Sequence, residues 1–171
     1  MTEASLFSGR VEPLDGDLPA LTYAWDAETE ILSCHLDVKS TRGLTGSIEL
    51  EDAQGAIVTL DFVSGVMQGL EVVVWPEMTR VDLSPPATDE RGRFVVPARP
   101  SQPGIAVLEV DVVLWVEATS DESTIHVGIG GRRPTRGVAL ADKLLLDVDE
   151  RGEPAGFWLL SVPPFPQERE V

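Results

Sequence analysis

The stretch Lys143 to Val162, KLLLDVDERGEPAGFWLLSV, decides how the rest of the chain is read. Two apolar runs, Leu144-Leu145-Leu146 and Phe157 to Leu160, flank a polar segment with Asp147, Asp149, Gly152 and Pro154. Short apolar runs bounded by Gly, Pro and Asp mark paired antiparallel strands. A second copy stands at Ala56 to Pro76, AIVTLDFVSGVMQGLEVVVWP. Placing Gly69 on Gly156 gives an offset of 87 (156 − 69), which also joins Gly65 to Gly152 and Pro76 to Pro163.

Working outward, a strand, acidic turn and strand over Leu21 to Leu36 echo a later hairpin. Placing His35 on His126 gives an offset of 91 (126 − 35), which joins Asp26 to Glu117 and Ser33 to Thr124. Thr41-Arg42-Gly43 matches Thr135-Arg136-Gly137 at an offset of 94 (135 − 41), and extra residues stand around Thr45 to Gly55. Three blocks in one order at drifting offsets are what duplication followed by loop insertions leaves.

The expected plan is an N-terminal arm over 1–20 and a first β repeat over 21–76. A Pro-rich linker with a lone edge strand near Arg93 to Val96 follows over 77–104, then a second repeat over 105–163 and a tail over 164–171. Pro85, Pro86, Pro97, Pro100 and Pro103 bar a helix or central strand from the linker. Ile105 to Val116 alternates apolar residues with Glu109 and Asp111 and reads as the longest strand.

No window repeats apolar residues at helical spacing behind a cap, and turn residues recur every eight to twelve positions. The fold class is therefore all-β. Two homologous four-stranded antiparallel halves are expected to pack about a pseudo-twofold axis as a sandwich or barrel-like single domain.

Composition bounds the function. The chain has 171 residues, 43% of them hydrophobic, enough for a core. Thirteen Lys and Arg face 29 Asp and Glu, for a net charge of −16. Phosphate backbones and anionic membranes both require cationic partners, so neither nucleic acid nor a membrane surface is expected. A basic protein partner suits the charge. Cys34 stands alone, which leaves no intrachain disulfide. MTEASLFSGRVEP lacks the cationic start and apolar run of a signal peptide, so the expected location is cytoplasmic.

The back motif Asp147, Asp149, Gly152 and Gly156, and its counterpart Asp61, Gly65, Gly69 and Glu71, resemble the small bacterial family designated domain of unknown function 2283. The front motif is Tyr23, Asp26 and Glu30 in the first half, and Trp115, Glu117 and Asp121 in the second. The first half departs from the pattern with Val63 where a second acid belongs. The resemblance implies a compact β-rich unit without an assigned activity, and brings no catalytic residue with it.

Several constellations are weighed for chemistry. Asp147 to Gly152 begins like a calcium loop, but Arg151 and Trp158 fall where ligands belong, so it reads as a turn. No G-x-S-x-G elbow occurs, and Cys34 and His35 point to opposite faces of a strand. The remaining ligand-binding candidates are His35 and His126, which would face solvent or the junction between halves if Cys34 and Ile125 point inward. Arg132, Arg133 and Arg136 join them as the densest positive patch. Trp25, Trp75, Trp115 and Trp158 read as core or interface filling. No catalytic residue, metal ligand set or cofactor is assigned. The resulting expectation is a non-enzymatic acidic binding or assembly protein that engages a protein partner. The alternative is a small metal- or His-dependent enzyme with its site between the halves.

Overall fold

The computed structural model describes residues 9–37, 45–96 and 105–166, with backbone alone for 105–108. The described residues hold strands and no helix, so the all-β expectation stands. In chain order the strands are β1 (Arg10–Pro13), β2 (Leu21–Trp25), β3 (Leu32–Leu36), β4 (Thr45–Glu51), β5 (Ile57–Val63), β6 (Val66–Val74) and β7 (Met78–Arg80). They continue as β8 (Gly92–Val95), β9 (Ile105–Asp111), β10 (Leu114–Ala118), β11 (Ile125–Ile129), β12 (Thr135–Ala141), β13 (Leu144–Asp149) and β14 (Pro154–Leu159).

These strands make two sheets. The first runs β2-β3-β6-β5-β4-β9 and curls, with β8 joined to β6 through Val66 and Val95, and β1 beyond β8. The second runs β7-β10-β11-β14-β13-β12. The order β2-β3-β6-β5-β4 thus reappears as β10-β11-β14-β13-β12, with five strands in each block where four were expected. The residues read as an insertion near Thr45 include β4, whose place in the second sheet β12 takes. The Thr41-Arg42-Gly43 echo lies outside the described residues.

Alternation within the strands explains the packing. Leu32, Cys34, Leu36, Ile48, Leu50, Val58, Leu60, Leu70 and Val72 of the first sheet are buried. They share one core with Leu114, Val116, Ile125, Val127, Leu144, Leu146, Phe157 and Leu159 of the second. Each such side chain removed from water contributes about 1.5–3 kcal/mol, so the inner faces fix the register of both sheets.

The run Ile105 to Val116 is two strands rather than one. Its chain leaves the first sheet after β9, which pairs parallel to β4, and enters the second as β10. Val112 N–H still bonds Glu51 O at 3.0 Å, while Val113 O already accepts from Gly130 N at 2.7 Å. Val112 to Val116 is apolar throughout, with no Gly, Pro or Asp at the crossing, which is why the break is silent in the residues. In the linker, β8 forms beside β1, and Thr88 and Glu90 bond the backbone of β12.

Aspartates shape the turns. Asp26 Oδ1 accepts from the N–H groups of Glu28 and Thr29, and Asp121 Oδ1 from that of Ser123, at the same place in the second sheet. The Asp26 bonds, and at Asp121 the Thr119 hydroxyl at 2.8 Å followed by the Ser123 N–H, hold both carboxyls below the usual range. Asp149 Oδ1 likewise accepts from the N–H groups of Arg151 and Glu153 and so caps its turn.

Candidate functional site

The two outer faces of the sandwich carry different chemistry. On the second sheet, register sets His126 of β11 opposite Trp158 of β14 and Glu117 of β10. Asp147 of β13 lies opposite Gly156. Because Ile125 and Val127 point into the core, His126 points outward.

Its ring lies parallel to the Trp158 indole, with centroids 3.9 Å apart and planes 12° apart. Trp115 meets the histidine edge-on at 4.9 Å. His126 Nε2 stands 2.6 Å from Asp147 Oδ2, and Trp158 Nε1 donates to Asp147 Oδ1 at 3.1 Å. A carboxylate receiving both rings places the shared hydrogen on Nε2 and leaves Nδ1 without a bond among the described residues. Asp147 is 3% exposed, and the two bonds offset the cost of burying it.

A glycine makes the pocket possible. Gly128 faces Trp115 across the β10–β11 pair, and a Cβ there would overlap the indole. The indole therefore lies flat on the backbone. Arg132 caps its other side, with the guanidinium carbon 4.0 Å from the ring centroid and an ion pair to Glu117. The result is a recess of about 100 Å³ lined by Trp115, His126, Arg132, Arg133, Thr135 and Asp147.

Arg133 is committed to structure. It donates to Asp149 Oδ2 at 2.8 Å and to the carbonyls of Ile129, Gly131 and Pro154. That fork ties the β11–β12 loop to the β13–β14 turn. Burial raises the Asp149 pKa, but the Arg133 bond and the Glu153 and Arg151 N–H groups outweigh it, and the net shift is downward.

The structure thus gathers His126, Arg132 and Arg133 and leaves two candidates elsewhere. Arg136 pairs with Glu90 on the outer edge of β12. His35 lies exposed on the first sheet, opposite Thr22 and Gly69. Since Cys34 and Leu36 face the common core, His35 points away from it on the far side of the sandwich from His126. The two histidines therefore form no common site between the sheets.

Their matching by residue identity is also displaced by two positions. Matching strands β2 with β10 and β3 with β11 are offset by 93 (114 − 21; 125 − 32), which sets Ser33, not His35, at the place of His126. Ser33 bonds Glu71, and Glu71 stands where Trp158 stands in the second sheet.

The outer face of the first sheet is acidic. Register aligns Glu71, Thr59, Glu49 and Glu109 across β6-β5-β4-β9, with Asp61 and the Glu51–Asp111 pair beside them. These carboxylates alternate with buried Leu70, Leu60, Ile48 and Leu50, so all six face outward. Among the described residues none of the six joins an ion pair, and none of strands β2 to β6 or β9 contains Lys or Arg. Their polar links are Ser47 Oγ to Asp61 at 2.8 Å and Ser33 Oγ to Glu71 at 3.2 Å. The corresponding face of the second sheet is partly covered, because Leu18 and Leu83 pack on Ala139, Leu145 and Trp158.

Among the described residues no three of His, Cys, Asp and Glu gather as a metal site, and no helix is long and apolar enough to cross a membrane. No protein-family model and no curated protein matches the sequence.

Proposed function

We propose that the chain is a non-enzymatic binding protein, made by duplication of one β unit, that docks a basic segment of a protein partner on the open face of its first sheet. The observation that carries this reading is the set of six carboxylates on that face that join no ion pair among the described residues, in strands without Lys or Arg. Such a face concentrates negative potential and steers a cationic partner toward it. Duplication is supported by the strand order shared between the sheets. One outer face is acidic, while the other carries tryptophans and cover.

The test compares two double variants against a Lys/Arg-rich peptide by calorimetry at two salt concentrations. Glu49→Lys with Glu109→Lys reverses charge on the face; Glu28→Lys with Glu77→Lys makes the same change elsewhere. Loss of binding in the first pair alone supports the docking face. Equal loss in both pairs reduces the effect to net charge and overturns it.

A second reading, a small His-dependent enzyme, is favoured by the His126–Asp147 pair and the unbonded Nδ1 beside the recess. A histidine oriented by a carboxylate is the arrangement of a general base. Turnover of small ester or amide substrates, lost in His126→Gln, would establish it. Absence of turnover across such a series leaves the binding reading in place.

A further inference from the structure

A second surface carries its own occupant. Trp25, at the end of β2, stacks on Trp75, just past β6, with centroids 5.8 Å apart and planes 25° apart. Trp75 Nε1 donates to Glu30 O at 2.9 Å, which fixes the ring as a floor. Trp25 Nε1 donates to Pro163 O at 2.9 Å, and Phe165 packs edge-on against Trp25 at 5.2 Å.

The segment on this shelf is Val162-Pro163-Pro164-Phe165-Pro166. Val162 is buried and anchored by its N–H to Ser123 O, whereas the residues after it remain exposed. Each proline fixes φ near −65°, and each residue before a proline is driven to extended backbone. The run is therefore held in the polyproline II form before it touches anything. A stacked aromatic floor with an indole N–H on a proline carbonyl is how aromatic grooves take polyproline II ligands.

We infer that the Trp25–Trp75 shelf is a recognition surface for a proline-rich segment of a partner protein, and that the chain's own residues 163–166 occupy and close it. A segment with a purely structural role would bury its apolar groups, yet Phe165 is 37% exposed. Among the described residues one hydrogen bond and one ring contact hold it, so release costs little. Tethering keeps the segment at an effective concentration of about millimolar, enough to exclude weak free ligands. A partner with a tighter proline run, or several of them, displaces it. This surface is separate from the acidic face, and its test does not depend on that reading.

The experiment follows tryptophan fluorescence as the peptide SVPPFPQ, the sequence of residues 161–167, is added to the chain. A chain ending at Val162 binds it saturably, and the full chain binds it at least roughly tenfold more weakly. Trp25→Phe in the shortened chain weakens binding roughly tenfold, as does replacing all three peptide prolines with alanine. Should the shortened chain fail to fold, the full chain with Pro164→Ala and Phe165→Ala loosens the segment and binds the peptide more tightly than wild type. The inference is overturned if neither opened form binds, if the proline-free peptide binds equally, or if the full chain binds as well as the shortened one.

Discussion

His126 lies parallel to Trp158 at 3.9 Å, and both rings direct an N–H to the one carboxylate of Asp147. Three strands, β11, β14 and β13, meet in that arrangement, and none of the three side chains holds its orientation alone. The recess beside Trp115 owes its shape to this clamp.

Removing the clamp exposes its worth. Asp147→Ala leaves the buried Trp158 N–H and the half-buried His126 N–H without an acceptor and should cost about 2–4 kcal/mol. Asp147→Asn keeps one acceptor and should cost less. Urea midpoints of the three proteins decide it, and an unchanged midpoint in Asp147→Ala would show that the carboxylate holds nothing.

Acid should loosen the turn that Asp149 caps. Its folded value is depressed, so its stabilising contribution is present above the unfolded value of about 3.9 and disappears as pH falls through the folded one. Asp149→Asn should therefore be less stable than wild type at neutral pH and lose less on acidification. Unfolding curves at pH near 7 and near 3 test this; parallel losses would remove Asp149 from the acid response.

Gly128 has no room for a side chain beneath Trp115. Gly128→Ala should cost about 1–3 kcal/mol and lift the indole away from the backbone. Arg132 then loses its ring, and the near-ultraviolet dichroism of the tryptophans should change. A spectrum identical to wild type would contradict the packing.

Six carboxylates on one face repel one another, and salt screens them. Raising salt from about 0.02 M to about 0.5 M should stabilise the chain, with less gain in a Glu49→Gln, Glu109→Gln variant. Those two residues face each other directly across β4 and β9. Equal salt dependence in the two proteins would place the repulsion elsewhere.

Most strands were legible because Val, Ile and Leu runs stop at Asp, Gly and Pro, as at Asp26–Glu30 and Asp149–Gly152. The crossing at Val112–Val113 was not, since the apolar run Val112 to Val116 carries no turn residue where the chain changes sheets. Matching His35 to His126 failed for a related reason. A slip of two residues keeps every side chain on its proper face, so apolar patterning cannot detect it. Asp147 was hidden by its neighbours: in one dimension it belongs to the acidic turn, and only pairing of β13 with β14 carries it to Trp158. Gly128 facing Trp115 was the one available clue, an aromatic across from a glycine on adjoining strands.

The bonds from Tyr23 to Leu160 and from Trp25 to Pro163 join residues separated by 137 and 138 positions. Translation at roughly 5–20 residues per second leaves the two aromatics waiting about 7–27 s for partners not yet made. Throughout that interval β2, among the earliest strands to emerge from the ribosome, has its outer border unguarded. That border is held by residues 120 to 138 positions later, and a nascent chain stalled midway would offer it to its neighbours on the same message.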